Sequence, residues 1–175
     1  VYQDFDYPDH SFLNDQLLCY VKENISHGIY GGAKVTNFDL HLCDNFYVKQ
    51  LLDWINCLIP EVAFNFSQQG EDNIDVKNQI VYDLNAFSIA SCWGIYYSKG
   101  DRVLTHNHFP YPISFVYCVS APKGSSAFIL EGNKIKSIPG KIIFFPSVYY
   151  HGIKTNRSDG RCMITGNVCY NTDSI

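Results

Sequence analysis

Charge is scarce in this chain, and what there is does not lean positive. Asp, Glu, Lys and Arg together make up 17% of 175 residues, too few for a disordered or tail-like protein. The formal net charge of −4 disfavours binding to a nucleic-acid backbone. No CxxC pair occurs among the seven Cys. Their odd number and apolar surroundings read as free thiols acting as small hydrophobes, which points to a reducing, cytoplasmic setting. No apolar run approaches the roughly 20 residues of a membrane span. The first nine residues are acidic and aromatic, the opposite of a signal peptide.

Apolar residues, by contrast, make up 46% and aromatics 15%, enough for a substantial core. The length fits a single domain over 1–175, with a helical part at about 1–66 and a β-rich core at about 81–170. Ser11 is placed to cap a helix carrying Leu13, Leu17, Tyr20 and Val21 on one face. Asp44 is placed to cap a second, with Tyr47, Leu51, Trp54, Ile55 and Leu58 at helical spacing and Pro60 just beyond its end. The polar stretch 67–79 reads as a loop. Thereafter strands are expected at 86–97, 102–108, 113–120, 126–130, 134–137, 141–145, 150–154 and 161–170. Eight short strands with turns between them predict a mainly β sandwich or jelly roll, its N-terminal helices packed on one face.

Three of the six His lie in the β half. On a strand, His106 and His108 share a face, so two imidazoles can grip one ion. His151 opens the strand after the apolar run 141–146, and a jelly roll can fold it back beside the pair. Burying several imidazoles without partners is unfavourable, which favours a metal over a structural reading. His10, His27 and His41 are given no role. Arg161, ten residues after His151, begins the run RCMITGNVCY. Pointing inward it needs an anion, which a carboxylate-bearing ligand supplies. Pointing outward it pairs with neighbouring Asp159.

His106-Asn-His108, the run Gly140-Lys-Ile-Ile-Phe-Phe-Pro146-Ser with His151 after it, and Arg161 together resemble the 2-oxoglutarate/Fe(II)-dependent oxygenase superfamily over about 90–170. Segments 106–110, 114–119, 145–151 and 161–167 are similar to an uncharacterised His-x-His subgroup of it. The resemblance implies a double-stranded β-helix. It also implies Fe(II) held by His106, His108 and His151, O2, and 2-oxoglutarate anchored by Arg161. The implied reaction is hydroxylation of a substrate C–H bond, with 2-oxoglutarate decarboxylated to succinate and CO2. The departure is His108, where the superfamily usually has a carboxylate. Three-His iron sites do occur in other jelly-roll dioxygenases. Gly100 with His106 and His108, and Gly140 with Pro146, also resemble the cupin motifs, but the cupin glutamate is absent from 109–114 and cupins do not require Arg161.

Within the resemblance, Tyr97 and Asn167 are expected beside Arg161 as co-substrate contacts, and Trp93 and Phe115 as pocket lining. The stretches 67–79 and 109–112 are expected to form a lid or entrance. Three readings stay open: a 2-oxoglutarate oxygenase, a cupin-type three-His dioxygenase or isomerase that does not use 2-oxoglutarate, and a non-catalytic binding jelly roll. The expected substrate is a small molecule or a peptide, and the assembly considered is a homodimer.

Overall fold

The computed structural model describes residues 2–68 and 86–171. The expected loop 67–79 therefore falls largely outside the described residues. Two helices, α1 (His10–Glu23) and α2 (Phe46–Ser67), and a 3-10 turn at Leu40–Leu42 precede most of the strands. The strands are β1 (Gln3–Asp6), β2 (His27–Gly28), β3 (Lys34–Val35), β4 (Phe87–Tyr97), β5 (Val103–His106), β6 (Ile113–Ser120), β7 (Phe128–Leu130), β8 (Asn133–Ile135), β9 (Lys141–Pro146), β10 (His151–Ile153) and β11 (Arg161–Tyr170). They form a seven-stranded sheet in the order β1-β9-β6-β11-β4-β3-β2, facing a four-stranded sheet in the order β5-β10-β7-β8. This is the double-stranded β-helix, mainly β, with both helices on the outer face of the larger sheet.

The larger sheet is apolar on both faces because each face has a cover. On β6, Phe115, Tyr117 and Val119 join the core beneath the helices, whereas Val116 and Cys118 face the interior between the sheets. On β11, Cys162 and Ile164 face the helices and Met163 faces inward. The same parity puts Arg161, Thr165 and Asn167 inside. Helix α1 supplies Leu13, Leu17 and Val21, and α2 supplies Val48, Leu51, Ile55, Ile59 and Val62. Gly94 lets α1 approach, since a Cβ there would sit 2.5 Å from Val21 Cγ2. The Tyr117 hydroxyl donates to Asn14 Oδ1 at 2.7 Å, tying α1 to β6.

Several local expectations are corrected. The N-cap of α1 is Asp9, and Ser11 lies within the helix. The cap of α2 is Asn45, whose Oδ1 accepts from the backbone N–H of Tyr47 (3.0 Å) and Val48 (3.1 Å); Asp44 instead pairs with Lys49. Pro60 lies inside α2. An internal proline costs about 3 kcal/mol. The helix continues because Val62 and Ala63 beyond it are buried. Strands β1, β2 and β3 were not expected. Gln3–Asp6 carries one apolar residue and pairs at the sheet edge with β9. There Lys141 Nζ reaches Asp4 at 2.8 Å and Asp6 at 3.1 Å. All seven Cys are free, and Cys92, Cys118 and Cys162 are buried. Among the described residues no helix is long and apolar enough to cross a membrane.

Candidate metal centre

His106, His108 and His151 converge in the interior, each offering a nitrogen, with those atoms within 4.8 Å of one another. His106 ends β5 and His151 opens β10, and the two are directly paired across these strands. His108 arrives differently. Strand β5 stops at His106, so strand parity does not aim His108. Its backbone N–H donates to Ser147 O at 2.8 Å, which pins the following segment against the end of β9.

The outer nitrogens of the rings fix their tautomers. His106 Nδ1 lies 2.8 Å from Leu104 O and His151 Nδ1 lies 3.1 Å from Tyr149 O. Carbonyls only accept, so each Nδ1 carries the proton and each Nε2 presents a lone pair. His108 Nδ1 lies 2.6 Å from Asn167 Oδ1, which leaves its Nε2 free in the same way. The Nε2 atoms of His106 and His108 are then 3.0 Å apart, lone pair to lone pair. Two nitrogens have that separation when both lie about 2.0–2.1 Å from one divalent ion at near a right angle. The donor set thus fits a cation. Burial pulls His108 down to about 4, with His106 adding to it and Asn167 opposing it. Burial likewise pulls His151 down to about 3. Both are therefore neutral, as ligands must be.

Asn167 belongs to a polar stripe across the inner face of the larger sheet. It is in register with Ser91 on β4 and Ser114 on β6. Its Nδ2 donates to Ser91 Oγ at 3.0 Å, and its Oδ1 accepts from Ser114 Oγ at 2.8 Å as well as from His108. Ser114 Oγ also lies 2.6 Å from Ser147 Oγ. Asn167 was expected to contact a co-substrate; it lines the cavity, and its partners within the protein are His108 and the two serines. Sequence reading passed over Ser91, Ser114 and Ser147. Their signal was polarity at, or just past, inward positions of apolar strands.

Arg161 is fully buried. Its Nη1 donates to Ser126 O, its Nη2 donates to Ser137 Oγ at 2.8 Å, and its Nε has no partner. The guanidinium carbon lies 5.3 Å from the centre of the Tyr97 ring. Among the described residues it has no ion pair, and Asp159 accepts from the backbone of Lys99 instead. The surface reading of Arg161 is therefore excluded. Burial works against its charge and pulls it below its ordinary value. Burial also holds the Tyr97 phenol protonated, far above its usual range.

A cavity of about 550 Å³ opens beside the three imidazoles. Trp93, Tyr97 and Asn167 line it, together with Phe38, Phe109 and Tyr111. Arg161 does not line it; Tyr97 lies over the guanidinium. Phe115 does not line it either, which corrects that expectation. Its parity points it away from the interior, into the core under the helices, 5.9 Å from the Phe144 ring. Of the stretch 109–112, Phe109 and Tyr111 border the cavity.

No protein-family model matches the sequence, and a search of curated proteins finds no relative. Solved structures do match. A prolyl-4-hydroxylase from Pseudomonas putida superposes with a TM-score of 0.69 at 13% identity, over 97% of this chain and 92% of that one. The viral collagen prolyl hydroxylase of Paramecium bursaria Chlorella virus-1, in its 2-oxoglutarate complex, gives 0.62 at 14% identity over 95% and 94%. A 2OG-Fe(II) oxygenase-family oxidoreductase from Burkholderia pseudomallei gives 0.61 at 12% identity over 96% and 85%. At these identities the shared property is the fold: the chain has the double-stranded β-helix of these oxygenases.

Proposed function

We propose that the protein is an Fe(II)- and 2-oxoglutarate-dependent oxygenase that hydroxylates a C–H bond. The observation that carries this reading is the pairing of two features in one interior. Three imidazoles bring ligating nitrogens within 4.8 Å of one another, and a fully buried Arg161 lacks any anionic partner among the described residues. His106, His108 and His151 would hold Fe(II), and Arg161 would take the far carboxylate of 2-oxoglutarate. The likeness in fold to a prolyl hydroxylase in complex with 2-oxoglutarate and to a 2OG-Fe(II) oxygenase-family oxidoreductase supports it. The overall reaction balances as R–H + O2 + 2-oxoglutarate giving R–OH + succinate + CO2.

Bound Fe(II) would supply the activation of O2 and the oxidising power. The chain's own part is positional. Leu104 O and Tyr149 O hold two ligand rings by their Nδ1 protons. Asn167 holds the third. Tyr97 covers Arg161 and keeps water from it, and this ring must move for a carboxylate to reach the guanidinium. The apolar cavity excludes water from the reacting C–H bond.

The test is anaerobic addition of Fe(II), then 2-oxoglutarate, read as a visible metal-to-ligand charge-transfer band, followed by succinate release in air. Absence of both sinks the reading. One observation favours a second reading: the candidate ligands are three imidazoles, with no carboxylate grouped with them among the described residues. This is the set of a cupin-type dioxygenase acting on a directly chelating substrate, for which Fe(II) activity without 2-oxoglutarate would be the outcome.

A further inference from the structure

We infer that the group delivered to the metal centre is uncharged and apolar: a ring or branched hydrocarbon, not a carboxylate or an ammonium. This deepens the oxygenase reading and rests on it for what happens to that group. The inference starts from the cavity wall. Among the described residues no Asp, Glu, Lys or Arg lines it. Its Ser, Thr and Asn side chains are already engaged. Thr165 Oγ1 donates to Phe115 O at 2.7 Å, and Asn167 joins Ser91 to His108. Each histidine Nδ1 is likewise taken. Once 2-oxoglutarate meets the charge of the metal, a charged substrate group would lose its water and find no counter-charge among the described residues of this wall.

The charges that do exist serve the opposite end. Arg161 pairs with Tyr97 across β11 and β4, whereas Asn167 pairs with Ser91 six residues along β11. Trp93 lies at the Asn167 end, 5.6 Å from the His108 ring, and Phe38 packs on Trp93 at 4.7 Å between ring centres. Phe38 is 46% exposed and Phe109 is 74% exposed, yet both border the cavity. Exposed aromatics that converge on a cavity mouth mark where an apolar partner is received. The path to the metal therefore runs along Phe38 and Trp93, past His108, away from Arg161.

Such a group comes from a free small molecule or from a peptide side chain, and two probe sets separate them. The first is indole-3-acetamide with its charged counterparts, indole-3-acetate and tryptamine. The second is acetyl-Gly-Leu-Gly-amide with its Asp and Lys equivalents. Binding is measured by calorimetry on the metal-free protein and again with Zn(II) and 2-oxoglutarate present. The uncharged member of at least one set should bind about tenfold or more tighter than both charged members. Phe38→Ser and Phe109→Ser should each weaken it several-fold, with near-ultraviolet circular dichroism as the control for folding. The set that binds tighter identifies the source. A charged probe that binds as well as its neutral partner in the metal-free protein, or two serine variants with wild-type affinity, overturns the inference. Neutral probes that bind a protein giving no charge-transfer band with 2-oxoglutarate leave the ligand class standing and remove the oxygenase reading.

Discussion

Replacing Asn167 by Ala removes the acceptor that leaves His108 Nε2 free to ligate. In the native protein the 2.6 Å contact from His108 Nδ1 to Asn167 Oδ1 keeps the proton on Nδ1. Without it, the remaining partner of Nδ1 is Ser114 Oγ at 3.3 Å, which can donate as well as accept. The proton can then move to Nε2, which lies 3.0 Å from His106 Nε2. A hydrogen bond between those two nitrogens uses both lone pairs that a metal needs. Breaking it costs about 0.5–1.5 kcal/mol, and loss of ring orientation adds to that. Removing a partner of this kind costs roughly 10–100-fold in metal affinity, or about 1.4–2.7 kcal/mol.

The assay is anaerobic competition for Co(II) between the protein and a chelating dye, with near-ultraviolet circular dichroism as the control for folding. Asn167→Asp is the discriminating companion. A carboxylate only accepts, so it holds the His108 proton on Nδ1 and adds a negative charge beside a site that has none. It should bind Co(II) at least as tightly as the native protein. Nitrogen-15 spectra of the histidine rings should show His108 protonated on Nδ1 in Asn167→Asp and shifted towards Nε2 in the metal-free Asn167→Ala protein. A folded Asn167→Ala protein with Co(II) affinity within threefold of native would refute the reasoning, leaving the 108–111 segment alone to position the ring.

Three further outcomes follow from the same structure. Arg161→Lys keeps the charge but cannot reach Ser126 O and Ser137 Oγ together, and loss of a charge-assisted pair is worth about 1.5–3 kcal/mol. Its 2-oxoglutarate affinity, titrated by the charge-transfer band, should fall at least tenfold while Co(II) affinity holds. Acidification should destabilise the metal-free protein. The folded-state values of about 4 for His108 and about 3 for His151 lie below the ordinary 6.5, so the unfolded chain binds more protons in that window. Stability is full above pH 6.5 and falls towards pH 4, by at most about 1.4 kcal/mol per pH unit for each ring, less for the half-buried His108. A flat urea midpoint between pH 7 and 5 would contradict this. Leu17→Ala, in the core between α1 and the larger sheet, should cost about 2–5 kcal/mol by denaturant unfolding and leave Co(II) affinity unchanged, because that core is on the far side of the sheet from the metal site.

The sheet was legible where burial sets the pattern. Strand β11 spans the expected 161–170, and β6 the expected 113–120, because strands covered on both faces read as unbroken apolar runs. Strand β1 was not legible. An edge strand with one apolar residue is held by its partner and by Lys141, not by its own composition. Pro60 misplaced the end of α2 because local propensity was overridden by burial further along the helix. Phe115 was misassigned because aromatic character alone does not say which face of a doubly covered sheet a residue takes.

His108 shows how a site can be found for an incomplete reason. Spacing in the sequence put it on the same strand face as His106, yet the strand ends first, and a backbone contact to Ser147 brings it in. What made three imidazoles informative was cost, not parity. Neutral rings and an unpaired Arg161 in one interior leave positive charge unbalanced as soon as a divalent ion binds. Among the described residues the cavity wall offers no carboxylate to offset it. In a site whose third ligand is a carboxylate, the protein supplies part of that compensation permanently. In the proposed site the described residues leave it to whatever anion enters, so metal and anion would stabilise one another. A dianion with one end for the metal and the other for Arg161 meets that demand in a single molecule, which is why His108 and Arg161 are better understood as one arrangement than as a departure and a match.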